Sequence, residues 1–299
     1  MQNSIFHKLS DVLWGLIILI LVVLALYVSV GRMLTNDISS YRAAILQELN
    51  LRVPFNIEAE AVTGYWRSFA PDIVLSGLRL TIPGLDHAPI ELSEGRIGLD
   101  VLNSLRTRSL QVTRIELTDL NLQGELSEDG RFRLTGFAGG GSEMGQWLQE
   151  LLLNVEHVSL RDNLLQLRMP NGEVRDFDLD LQLTREGSRR LIDGNLLSNA
   201  GTSIDVIAQG MGNPFKPAEF DGELYLNIRT SNLAAVRDLL AAGSPPVWAD
   251  GQLDLQLWLD VKRGKTTLET SLEARDFTVS GDAGRWQVPL RRLAAQARI

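Results

Sequence analysis

Phe177-Asp178-Leu179-Asp180-Leu181-Gln182-Leu183 alternates apolar and polar residues without a break. Such a period of two puts the apolar residues on one face of a strand and the polar ones on the other. Leu253-Asp254-Leu255-Gln256-Leu257 repeats the pattern and continues to Leu259, with Trp258 on the opposite face. Leu78/Leu80/Ile82, Ile97/Leu99/Val101, Ile115/Leu117, Leu165/Leu167/Met169 and Leu224/Leu226/Ile228 follow suit. Turn residues separate these runs at Pro83-Gly84, Asp129-Gly130, Asn171-Gly172, Arg185-Glu186-Gly187 and Gly264. Leu120/Leu122 is out of phase with Ile115/Leu117, which predicts a turn or bulge near Thr118-Asp119. The texture begins at residue 55 and predicts roughly fifteen strands of about five to nine residues.

Helices to cover those strands are scarce. Met144, Trp147, Leu148, Leu151, Leu152 and Val155 predict one amphipathic helix, and Leu233, Val236, Leu239 and Leu240 another. Gly139-Gly140-Gly141 before the first is expected to be a flexible turn. Two short helices cannot hide every apolar strand face. The alternatives are a second sheet, as in a sandwich, or a long curved sheet whose apolar face holds something greasy. The fold class expected is mainly β: an N-terminal transmembrane helix, then a long, curved, antiparallel-rich sheet forming a groove, with a few short amphipathic helices.

Val12 to Val30 contains no charged residue. As a helix this span is about 28 Å long at ~1.5 Å per residue, close to the ~30 Å core of a bilayer. Val12, Trp14, Leu19, Leu24, Tyr27 and Val30 mark the anchor, with the two aromatic residues near its ends. The span is longer than a signal peptide's apolar region, and Ser29-Val30-Gly31 is a poor cleavage site. Lys8 and Arg32 nearly balance across it. The short basic N-terminus is expected to stay in the cytoplasm, with the domain on the far side. The expected order is a cytoplasmic segment 1–11, an anchor 12–30, a juxtamembrane helix and linker 31–54, and a groove domain 55–299. Asn36-Asp37 caps the juxtamembrane helix, whose Ile38, Tyr41, Ile45 and Leu49 share a face. That face lies either on the membrane surface or on the domain.

Composition narrows the chemistry. The 299 residues include no cysteine, three histidines and a net charge of -8. Zero cysteine removes disulfides, thiolate metal sites and cysteine nucleophiles. An acidic chain lacks the basic footprint of a nucleic-acid binder. His7, His87 and His157 are too few for a multi-histidine metal site. Gly264-Lys265-Thr266-Thr267 ends like a phosphate loop, but Leu259 stands where its first glycine belongs, so 262–265 reads as a strand turn. Asp176, Asp178 and Asp180 start like a calcium loop, but Leu181 and Gly187 occupy its glycine and glutamate positions. They are expected on the solvent face of a strand. No carboxylate pair sits in an apolar setting that would raise its pKa. The expectation is a protein that is not an enzyme and carries no cofactor or metal.

Residues 44–84, with Leu49, Val53-Pro54, Gly64, Trp66, Pro71 and the run Ile73 to Ile82, resemble the start of the AsmA-like proteins of Gram-negative envelopes, most closely the YhdP branch. The segment Val158 to Leu183 resembles that family's repeating strand units. The family is related to TamB and to chorein-type bridge proteins that carry lipid along a hydrophobic trough. The resemblance implies a single-pass inner-membrane protein with its bulk in the periplasm, moving phospholipid toward the outer membrane. Leu179, Leu181, Leu224, Leu226, Leu253, Leu255 and Leu257 are the candidate groove lining, and Pro54, Gly64, Trp66 and Pro71 are the family-motif positions. The partners implied are phospholipids, the inner membrane and further inner- or outer-membrane proteins, with no nucleic acid. The other readings are an assembly factor or chaperone for outer-membrane proteins, and a structural sandwich domain. Roughly fifteen strands at ~4.8 Å reach only about 70 Å, and an alternating run ends at Ile299. The chain is therefore expected to be the N-terminal part of a longer protein.

Overall fold

The structure, a computed structural model, describes residues 17–29, 31, 33, 38–67, 70–82, 89–108, 111–127, 132–135, 146–147, 149–150, 153–170, 172–213, 216–231, 247–249, 251–281 and 286–298. Helix α1 covers 17–29. A 3-10 turn, Ile38–Tyr41, leads into α2, Arg42–Asn50. Then come β1 (Asn56–Glu58), β2 (Ala61–Arg67), β3 (Ala70–Thr81), β4 (Ile90–Leu99), α3 (Val101–Thr107), β5 (Val112–Thr118), β6 (Asn121–Leu126) and β7 (Phe132–Thr135). The rest is β8 (His157–Arg168), β9 (Val174–Glu186), β10 (Arg189–Ser198), β11 (Thr202–Gly212), β12 (Phe220–Thr230), β13 (Val247–Ala249), β14 (Gln252–Lys262), β15 (Lys265–Gly281) and β16 (Trp286–Arg298).

All sixteen strands join one open sheet, in the order β1-β3-β4-β5-β8-β9-β10-β11-β12-β14-β15-β13, with β2 on β3, β6 and β7 beside β8, and β16 on β15. No second sheet exists among the described residues, so of the two alternatives the single large sheet is the one observed there. Strand length is corrected too: β15 has 17 residues and β9 and β16 have 13 each. Pairing is antiparallel except that β5 and β6 both run parallel to β8. The crossover from β7 to β8 makes this possible and includes helical residues at 146–147, 149–150 and 153–154. The second expected helix, at 233–240, lies outside the described residues, as do Pro83-Gly84, Asp129-Gly130 and Gly139–Gly141.

From β8 to β15 most connections are tight. Arg263-Gly264, both at positive φ, form a two-residue loop between Lys262 and Lys265, the conformation that matches strand twist. Gly187 at positive φ begins the two-residue loop from β9 to β10. The phase break at Asp119 is a bulge: φ is 58°, and the ladder passes from β5 to β6 there. Asp162 in β8 makes the matching bulge at φ 54°. Asn163 fills the gap, its side chain accepting from the Leu120 N–H at 2.9 Å. Bulges bend and twist a strand, so these two crease the sheet along one line. Ser93 Oγ donates to Asp119 Oδ2 at 2.5 Å, carrying the crease to β4.

Helix α2 packs on the apolar face. Leu49 is buried there, with Ile38, Ile45 and Leu46 against the same core, while Tyr41 is exposed. The helix therefore rests on the domain. Its Asn50 side chain donates to the Ile57 carbonyl and accepts from the Ile57 N–H, pairing the edge strand β1 with an amide instead of another chain. Trp147 covers the same core from the crossover, meeting Phe55 edge-on at 5.0 Å.

Candidate functional site

Register turns the alternating strands into continuous rows. One row runs Gly64, Ile73, Ile97, Ile115, Val158, Leu183, Ile192, Ala208, Leu224, Leu259, Leu268, each directly opposite the next. The next row runs Val62, Leu75, Gly95, Leu117, Leu160, Leu181, Gly194, Val206, Leu226, Leu257, Thr270, Ala297. Each steps from β2 to β15 without a charged residue. Ten strand spacings of ~4.8 Å make such a strip about 50 Å long.

Further along the same strands the apolar face closes. Ile57, Leu78, Leu92, Leu122, Leu165, Leu167, Met169 and Phe177 are buried under α2 and Trp147. Ile228, Leu253, Leu255, Ala274 and Phe277 form a second buried cluster, and Ile204 touches both. From β10 onward the two rows are only partly covered: Ile192, Val206, Leu224, Leu226, Leu257, Leu259 and Leu268 are half-buried, with Leu226 and Leu257 packed against the edge of the second cluster. The candidate site is thus a strip of half-exposed aliphatic side chains with a packed seam on one side.

The seven predicted lining residues all lie on this face but divide between its two parts. Leu181, Leu224, Leu226 and Leu257 lie in the open rows. Leu179 is half-buried beside the first core cluster. Leu253 and Leu255, at 5% and 7% exposure, belong to the packed seam. Sequence reasoning passed over Ile192, Ala208 and Leu268 and placed Leu259 on the apolar face without counting it as lining; these four complete the row. Their alternation signals a face, but nothing local shows which strand stands opposite.

The predicted anchor is described in part. Leu19 and Leu24 are exposed on α1, and Tyr27 is half-buried. Val12, Trp14 and Val30 lie outside the described residues. Among the described residues no helix is long and apolar enough to cross a membrane. Of the motif positions, Pro54 is half-buried in the bend before β1, and Gly64 opens the first row. Trp66 faces Pro71 across the β2–β3 pair. Pro71 lies beyond the β4 ladder, which begins at Asp72, so its missing N–H costs no bond on that side.

The other face is mixed: charged and amide side chains alternate there with the exposed Leu191, Leu197, Ile207, Met211 and Trp258. Asp176, Asp178 and Asp180 fall there, each opposite a β8 residue or ordered by one: Asp176 accepts from Gln166 at 3.2 Å and Asp180 from the Asp162 N–H at 3.0 Å. A cavity of about 970 Å³ lies mainly on this face, around Ile207, Tyr225 and Trp258. The two rings sit at 5.5 Å across β12 and β14, a cross-strand pair that fixes register. Around them Glu269 is paired with Arg298 at 3.0 Å, and Asp260 with Lys262 at 2.6 Å. His157, at the start of β8, is pushed below its ordinary pKa, first by burial and then by the Arg114 charge. His7 and His87 lie outside the described residues. Among the described residues no group of three or more His, Asp or Glu side chains could hold a metal.

The fold is mainly β, one large open sheet with a half-buried, uncharged apolar strip along one face. The chain belongs to the YhdP protein family, whose sequence profile matches residues 1–295. Comparison with curated proteins and comparison with solved structures each give no match.

Proposed function

We propose that this protein is a lipid-transfer module, anchored in the inner membrane by residues 12–30, that carries phospholipid acyl chains along the open rows toward the outer membrane. The observation that carries this reading is the uncharged double row from β2 to β15, half-exposed from β10 onward. Apolar area taken out of water is worth about 25 cal/mol per Å², so acyl chains laid along the half-exposed strip gain from covering what remains of it. Acyl chains are the matching occupant, because a row of Leu, Ile and Val offers dispersion contacts and no hydrogen bonds. The apolar exposed surface of α1 supports a bilayer next to the sheet. No covalent step is needed, and the module is not an enzyme. Family membership is consistent with a place in the envelope.

The test is mass spectrometry of the purified chain, combined with photo-crosslinkers at Leu226 and at its neighbour Asn227. Stoichiometric phospholipid, captured at Leu226 and not at Asn227, is the expected result. Equal capture at both positions would falsify a one-faced trough. Crosslinks to unfolded outer-membrane proteins at a sheet edge, with no lipid, would favour the assembly-factor reading.

A further inference from the structure

The sequence motif around Gly64 and Trp66 has a role that the trough alone does not use. Trp66 sits on the apolar side of β2, one step beyond Gly64, the first residue of the first uncharged row. Its indole meets Tyr27 of α1 edge-on at 5.3 Å. It also lies flat against Gly31, where a Cβ would stand 2.2 to 2.6 Å from three ring carbons. Gly31 is buried by this contact. No side chain larger than hydrogen fits there without moving the ring. The end of the apolar helix and the end of the apolar strip are therefore joined through one tryptophan.

The indole carries a second signal. Its Nε1 is buried and has no hydrogen-bond partner among the described residues. A buried donor left unpaired costs free energy, so this one is suited to an acceptor that arrives from outside. The neighbours on either side are apolar: the exposed Ile17 to Leu24 surface of α1 and the row beginning at Ile73. The molecule that fits is one with aliphatic chains and a nearby oxygen acceptor. Resting on the lipid reading above, we propose that the Trp66–Tyr27–Gly31 junction is the loading port of the trough. A glycerophospholipid passes there from the bilayer around α1 onto the β2 end of the uncharged rows, along which it reaches their half-exposed part, and the Trp66 Nε1–H donates to its ester or phosphate oxygen.

The experiment uses the full chain reconstituted with vesicles of phosphatidylethanolamine and phosphatidylglycerol, with a photo-crosslinker at position 257 in the open rows. The rate of lipid capture there is compared for the unaltered sequence, Trp66→Phe, Trp66→Ala and Gly31→Leu. Trp66→Phe keeps the ring and removes the donor, and should slow loading about fivefold, the worth of one net hydrogen bond. Gly31→Leu should abolish loading from vesicles while leaving capture of lipid added in detergent unchanged. Should Trp66→Ala fail to fold, the Phe variant still decides. Loading at the unaltered rate in Trp66→Phe and Gly31→Leu overturns the port and leaves the trough standing. No lipid at position 257 in the unaltered sequence overturns the trough reading on which the port rests.

Discussion

Each long strand of this sheet contains two kinds of apolar residue with the same sequence signature. In β12, Leu224 and Ile228 face the same side two steps apart from Leu226, yet Ile228 is buried and Leu224 is half-exposed. In β14, Leu253 and Leu255 are buried while Leu257 and Leu259 are not. The difference lies in what covers them. One end of the strands meets α2, Trp147 and the second buried cluster. From β10 onward the other end is only partly covered, Leu226 and Leu257 by the edge of that second cluster. The packed seam holds the core of the open sheet, and under the proposed function the half-buried rows are where lipid lies.

The largest effect that tests this contrast comes from the packed seam. Phe277, 1% exposed in the second cluster, should cost about 3–5 kcal/mol as Phe277→Ala, read as a shifted urea midpoint. Phe177→Ala at 2% exposure should match it in the first cluster. Loss of less than half that amount at both sites would erase the distinction between seam and strip.

Leu255→Ala and Leu224→Ala sharpen the comparison within one chemistry. The buried Leu255 should lose about 2–5 kcal/mol, and the half-exposed Leu224 about 1 kcal/mol or less, because its transfer term is only partly realised. Leu226→Asp together with Leu257→Asp should leave the fold intact by circular dichroism and remove co-purifying lipid. Unchanged lipid content in that double variant would show that the strip is not the site.

A smaller effect belongs to the crease. Asp162 holds φ 54°, a conformation that costs L-residues roughly 1–2 kcal/mol. Asp162→Gly should be neutral or slightly stabilising, and Asp162→Val should lose about 1–2 kcal/mol. Equal midpoints for Gly and Val would mean that the bulge is not required where the strand bends.

The smallest effect is electrostatic. Burial lowers the His157 pKa in the folded state, so the folded state binds fewer protons there than the unfolded chain. The stability it contributes is full above the unfolded value of ~6.5 and is lost as pH falls from there through the lower folded value. Urea midpoints should therefore drop slightly between pH 7 and pH 5. His157→Gln should remove that increment, and an identical pH profile in the variant would exclude His157 as its source.

Much of the fold was legible because strand periodicity is local. The alternation of Phe177 to Leu183, the loop at Arg263-Gly264 and the bulge at Asp119 each follow from a few neighbouring residues. The helix from Ile38 to Leu49 was legible as a helix, but its sequence suits a membrane surface and a sheet equally. Only the contacts of Leu49, Ile45 and Leu46 place it on the sheet. The lining was half legible for a related reason. Leu253, Leu255, Leu257 and Leu224 have equal hydrophobicity, and burial depends on coverage from residues far away in the chain.

By itself the sequence determined that this protein has many one-sided strands, a charge-free N-terminal span, and no thiol or histidine cluster for chemistry. Those properties reside in residue type and in a period of two, which need no partner to be read. Tertiary structure decided the rest: one open sheet instead of two, a parallel insertion of β5 and β6 beside β8, and rows that align across eleven strands. It alone brought Gly31 and Tyr27 against Trp66, and it alone separated an open strip from a packed seam. Register and coverage are pairings between distant segments, and a pattern repeated on every strand cannot specify which copy stands beside which.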